Sequence, residues 1–207
     1  AISRDVYMGM TVDADTPIPS NSWLYLDNED TYAYNLELAR KLLEQEGWSD
    51  LDDDKILDKV VGEGQVKHLQ LRLYVYEDPL NNVRFETANM IEDMLAALKI
   101  KVKITFMSYA EVKSKLEVAD FDLALCAFQM DQIPDAGFLL MKGNTGNYGH
   151  YVSSEMTALF NTLRASADRA SFAQTQLAIQ QKFADDVPFI CLFYRAGAIL
   201  TRKMYTT

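Results

Sequence analysis

The chain has 207 residues, of which 49 % are hydrophobic, and a formal net charge of −10. That is material for one large domain or two small ones, with a sizeable core. The acidity excludes nucleic acid and anionic membrane as main partners, because counterion release needs clustered Lys and Arg.

No apolar run approaches the roughly 20 residues of a membrane span. No signal peptide is visible. Ala1 to Met10 opens without Met, basic leader or cap, so the sequence reads as a piece cut from a longer protein. This opening reads as the tail of a short helix ending near Gly9. Residues 11 to 28 are irregular, with Pro17, Pro19, Ser20, Asn21 and Ser22 as breakers and Trp23, Leu24 and Tyr25 as core anchors. Asn35 is an N-cap, Leu36, Ala39, Leu42 and Leu43 share one helical face, and Gly47 is the stop signal. Asp50-Leu51-Asp52-Asp53-Asp54-Lys55 follows. Its alternating carboxylates resemble a calcium loop, but the central Gly and the closing Glu are missing. It reads as a solvated loop.

From Val66 the period changes to two. Leu69, Leu71, Leu73 and Val75 alternate with His68, Gln70, Arg72 and Tyr74, which predicts one half-buried strand. Ala88, Ile91, Leu95 and Leu98 predict an amphipathic helix, and Ile100, Val102, Ile104 and Phe106 a second strand. Tyr109 to Glu117 is a short helix. Leu123 to Phe128 is a continuous apolar run, as in a strand buried on both faces. The order β-α-β-α-β predicts an α/β unit with largely parallel strands. After the glycine-rich turn 142–151, Ser153 and Asp168 are expected to cap two more helices. Val187 to Tyr194 and Ala198 to Thr201 are expected to be strands.

The search for catalytic chemistry finds nothing. His68 and His150 stand in unrelated contexts, and no His/Cys/Asp/Glu cluster has metal-ligand spacing. Nucleophile elbow, Walker loop and dinucleotide fingerprint are all absent. Cys126 and Cys191 read as free buried thiols. No cofactor, metal site or enzyme activity is expected. What remains is binding. The loop after the Leu123 strand presents Phe128 and Asp131, with Phe138, Tyr148 and Tyr151 nearby in sequence. In open α/β sheets, ligands bind beyond such strand ends. Two readings of Asp131 stay open: it pairs with a ligand ammonium, or it caps the turn that follows.

Several stretches then carry a resemblance. Tyr34 to Trp48 is similar to a Tyr-Asp-Pro-Glu-x-Ala-x-x-Leu-Leu-x-x-x-Gly-Trp helix. The acidic loop with Ile56-Leu57-Asp58, Leu98 to Val102, Phe121 to Ala124, Asn144 to Tyr151 and Pro188 to Tyr194 follow in the same order. Together they resemble the C-terminal lobe of the extracytoplasmic solute-binding proteins of family 5, the receptors of oligopeptide, dipeptide and nickel ABC importers. The resemblance implies a periplasmic-binding-protein-like (type II) lobe over residues 1–207, with a mixed, mostly parallel sheet flanked by helices and a largely extended entry segment over 1–30. It implies an extracytoplasmic location, in the periplasm or lipid-anchored at the outer face of the membrane. The implied partners are a small peptide or similar ligand, an ABC permease in the membrane, and an N-terminal lobe of the same protein. Phe128 falls where peptide-binding relatives carry Trp, and Asp131 falls on their ammonium-binding Asp. The pocket wall would be Phe128, Gln129, Met130 and Asp131. The relatives' Asp-Pro appears here as Pro134-Asp135. A non-peptide ligand (nickel chelate, sugar or opine) and a ligand-sensing regulatory module are the alternatives.

Overall fold

The computed structural model describes residues 1–27, 33–79, 82–130 and 134–196. The chain divides into two compact units: Ala1–Asn28 with Ser154–Thr207, and the continuous stretch Glu29–Ser153.

The discontinuous unit begins with a short helix, α1 (Ile2–Asp5), and a strand the sequence did not announce, β1 (Thr11–Asp13). The continuous unit opens with α2 (Leu36–Gln45), placed as expected: the Asn35 side chain accepts from the Leu38 N–H, and Gly47 takes a φ of +83° after the helix. The acidic loop leads into β2 (Asp58–Val61) and β3 (Gln65–His68), an antiparallel hairpin turned through Gly62 and Gly64. The single strand expected from Val66 is therefore two. The chain breaks at Leu69, whose N–H donates to the Leu57 carbonyl, and β4 (Gln70–Tyr76) starts afresh. Tyr74, expected on the polar face, is buried.

Beyond β4 come α3 (Val83–Ala96), β5 (Lys101–Met107), α4 (Tyr109–Glu117) and β6 (Leu123–Leu125). Helix α4 is fixed at its start by a reciprocal capping box between Ser108 and Glu111. Strand β4 pairs in parallel with β5 on one side and β6 on the other. Leu73, Val75, Ala88 and Val102 form the buried centre, with Ile91, Leu95, Ile104, Phe106, Leu123 and Leu125 packed on it. One correction concerns β6. Among the described residues it is a three-residue, half-buried edge strand with one neighbour, not a strand buried on both faces to Phe128. A short helix, α5 (Gly137–Leu140), closes this unit's helical elements.

Helices α6 (Ser154–Ala165) and α7 (Arg169–Asp186) return the chain to the discontinuous unit. Their buried faces carry Met156, Phe160 and Leu163, and Ile179, Phe183 and Ala184. Asp168 caps α7 as expected, accepting from the N–H groups of Ala170 and Ser171. The apolar run from Val187 is a strand only at β7 (Phe193–Arg195), antiparallel to β1. Strand length follows the partner, and β1 offers three residues. Ala198 to Thr201 lies outside the described residues. The described sheets are one parallel three-stranded sheet and two antiparallel pairs. No described helix is long and apolar enough to cross a membrane.

Candidate ligand-binding site

The carboxyl ends of β4, β5 and β6 lie side by side, because the three strands are parallel and in register from Leu73, Ile104 and Leu123. Each strand delivers a different group there. Strand β4 ends in Tyr76, strand β5 leads through Ser108 into Tyr109, and β6 continues to Cys126 and Phe128.

These groups form an aromatic surface. Phe128 is 41 % exposed. Its ring meets Phe138 of α5 edge-on, with centroids 5.9 Å apart, and lies nearly parallel to Tyr148 at 6.4 Å. Tyr76 and Tyr109 make a second edge-to-face pair at 5.5 Å. The Arg84 guanidinium lies over the Tyr76 ring, 3.7 Å from its centroid, and donates to a tyrosine hydroxyl, that of Tyr76. Burial pushes the Cys126 thiol up, against the opposing pull of Arg84. Burial also pushes the Tyr148 hydroxyl up. Both groups therefore stay neutral at ordinary pH.

The loop that carries Tyr148 is held by amides. Asn147 donates to the Tyr151 carbonyl at 2.8 Å and accepts from the Tyr151 N–H at 2.9 Å. Asn144 donates to the Gly137 carbonyl at 2.8 Å, and Asp135 accepts from the Gly137 N–H. Tyr148 also lines an open cleft of about 390 Å³ with Leu116, Glu117, Lys142, Asn147 and His150.

The structure thus brings Phe128 together with Phe138 and Tyr148, as the sequence suggested. Gln129 is exposed and Met130 half-buried just beyond. Asp131 lies outside the described residues. Tyr76, Arg84 and Tyr109 were missed. The rule that selected Phe128, position at the carboxyl end of a parallel strand, also selects Tyr76 and Tyr109. Arg84 sits one position into α3 and gave no local signal. Among the described residues, the group able to hold a metal ion belongs to the acidic loop after Trp48.

A model of bacterial extracellular solute-binding proteins, family 5 middle region, matches residues 1–150. The chain belongs to that family. It is 25 % identical to the oligopeptide-binding protein AppA of Bacillus subtilis along 94 % of its own length and 37 % of AppA's. The structure of AppA in complex with a nonapeptide superposes with a TM-score of 0.79 over 93 % of this chain and 38 % of that one. An oligopeptide-binding protein from Thermus thermophilus, complexed with a pentapeptide, gives 0.81 at 20 % identity, over 94 % of this chain and 35 % of that one. NikA from Staphylococcus aureus, in complex with Ni(L-His)2, gives 0.75 at 20 % identity, over 94 % and 38 %. The type II binding-protein fold expected from the sequence is borne out. The chain spans a little over a third of the length of these relatives.

Proposed function

We propose that this chain is the C-terminal ligand-binding lobe of an ABC importer receptor that captures peptides outside the cytoplasm. The observation that carries the reading is the alignment with the oligopeptide-binding AppA along 94 % of the chain. The aromatic surface at the carboxyl ends of the parallel strands supports it, since ligands of open α/β sheets bind there. In this reading an N-terminal lobe of the same protein closes on the ligand like a jaw, and a membrane permease receives it. Phe128 and Met130 line the pocket wall. Backbone groups of 129 to 132 pair with the peptide backbone, which makes the site tolerant of side chains. Asp131 neutralises the peptide's ammonium group. The protein binds and releases its ligand without turning it over.

Native mass spectrometry of the full-length protein as purified tests this. A ladder of added masses matching mixed short peptides is expected. One discrete non-peptide mass would overturn the peptide reading in favour of a dedicated small-molecule receptor. In calorimetry with peptides, Asp131→Ala is expected to weaken binding; unchanged affinity would remove Asp131 from the site.

A further inference from the structure

The acidic loop is not simply solvated. Its ends are pinned: the N–H and carbonyl of Ser49 exchange hydrogen bonds with those of Asp58 at 2.9 and 2.7 Å. The Leu57 N–H donates to the Lys99 carbonyl at 2.9 Å. This closure turns the carboxylates at the loop's two ends inward. The Asp50 side chain is only 8 % exposed, and Asp58 is 1 % exposed. Asp52 and Asp54 project from the exposed rim between them. One carboxylate oxygen from each of Asp50, Asp52, Asp54 and Asp58 lies within 4.8 Å of the other three.

A second observation goes beyond clustering. Asp50 Oδ2 is paired with the Lys99 ammonium at 2.6 Å, and the backbone N–H groups of Asp53 and Lys55 also favour the charged carboxylate, but the buried Asp50 Oδ1 has no partner at hydrogen-bond geometry. A buried carboxylate oxygen without a donor is costly. Asp58 is satisfied differently, by His68 Nδ1 at 2.6 Å and by the Leu51 N–H at 3.2 Å. Among the described residues, the Lys99 ammonium and the His68 ring are the basic groups touching the four carboxylates. A cation among them would give Asp50 Oδ1 the partner it lacks.

The geometry points to a calcium ion held by Asp50, Asp52, Asp54 and Asp58. All four ligands are oxygens, which suits a hard divalent cation. Oxygens on opposite sides of calcium stand roughly 4.6–5.2 Å apart, against about 4.0–4.2 Å for magnesium, so the observed spread accommodates the larger ion. The four residues occupy positions one, three, five and nine of a calcium loop. Position six, where such loops carry Gly for a sharp turn, is Lys55. It holds a φ of +68°, so the backbone follows the turn without the glycine. Position twelve is Val61, so the bidentate Glu is absent. Affinity should therefore fall in the weak range of extracellular modules, with a Kd of about 10⁻⁴–10⁻³ M.

The test is calorimetric titration of the chelator-treated protein with calcium chloride, and in parallel with magnesium chloride. Saturable one-to-one uptake of calcium is expected, at least about tenfold tighter than magnesium, with a rise in Tm in millimolar calcium. The double variant Asp52→Asn, Asp54→Asn alters only exposed side chains. It should melt like the parent in chelator and lose at least about tenfold in calcium affinity. Absence of saturable calcium uptake up to about 10 mM would overturn the site, as would uptake unchanged in the double variant.

Discussion

The hydroxyl of Thr16 donates to Oε1 of Gln180 at 3.0 Å, joining positions 164 apart in sequence. Both residues are wholly buried. The same Oε1 accepts from the Leu26 N–H at 3.0 Å, while Nε2 donates to the carbonyls of Leu24 and Gln176 at 2.7 and 3.2 Å. One amide thus satisfies backbone groups of an irregular segment that has no ladder of its own. Replacing it by Gln180→Leu strands several buried polar groups. The expected loss is about 3 kcal/mol, read as a lowered urea midpoint with an unchanged slope.

Asn35 matters for a different reason. None of the residues of α2 is buried, so the helix has little packing to compensate for a lost cap. Asn35→Ala is expected to cost about 1 kcal/mol, while Asn35→Asp or Asn35→Ser retains the cap. Faster amide hydrogen exchange along Leu36–Gln45 in the Ala variant alone would show it.

Much of this was legible in advance. The limits of α4, the caps Asn35 and Asp168 and the parallel order of β4, β5 and β6 all come from local chemistry and periodicity. What was not legible depends on partners distant in sequence. The apolar runs to Phe128 and from Val187 have strand composition, yet they pair over only three residues each. Nothing in a run states how long its neighbour is. Gln180 lies between Ile179 and Gln181, and its burial follows from carbonyls near Leu24. On the candidate surface, Phe128 was legible because it follows a strand. Arg84 was not, because only the fold carries it to Tyr76.

Arg72 joins two carboxylates, Asp120 at 2.6 Å and Asp122 at 3.0 Å. Lys115 completes the network on Asp120. Lys115 and then Arg72 hold Asp120 below the usual carboxylate range, and Arg72 does so for Asp122. A depressed carboxylate contributes stability that is complete above its unfolded value of about 3.9 and is lost as pH falls through the folded value. The Tm gap between parent and Arg72→Met should therefore be largest near neutrality and close by about pH 2. It should also narrow in 1 M salt, because these groups are solvent-accessible. A gap independent of pH would mean that Arg72 acts through packing alone.

Gly146 supports the aromatic surface. A Cβ there would stand 2.9 Å from the Phe138 carbonyl oxygen and 3.0 Å from side-chain atoms of Phe138 and Leu139. Gly146→Ala should cost about 1–3 kcal/mol by overpacking and displace Phe138 from Phe128. In the full-length protein, Phe128→Ala should weaken ligand binding about tenfold and Phe128→Trp should retain it. Calorimetry distinguishes the two; equal affinities for parent and Ala variant would place the ligand elsewhere.

Burial pushes the Cys191 thiol up to about 12. A group raised on folding contributes stability that is complete below its unfolded value, about 8.5 for a thiol, and is lost as pH rises towards the folded value. The Tm of the parent should decline between pH 8.5 and 11, and Cys191→Ala should decline less. At pH 8 the native thiol should react with Ellman's reagent far more slowly than in urea.

Strands β1 and β7 are each other's partners, with Thr11 opposite Arg195 and Asp13 opposite Phe193. During synthesis the two halves of that ladder leave the ribosome far apart in time. Thr11–Asp13 waits unpaired while the whole of Glu29–Ser153, whose parallel strands find their partners within the same stretch, can already assemble. The discontinuous unit finishes only when Arg195 has emerged. A ribosome stalled late, with Glu29–Ser153 emerged and β7 still inside the exit tunnel, would carry one completed unit and one open edge strand, so that strand is exposed to mispairing with other nascent chains.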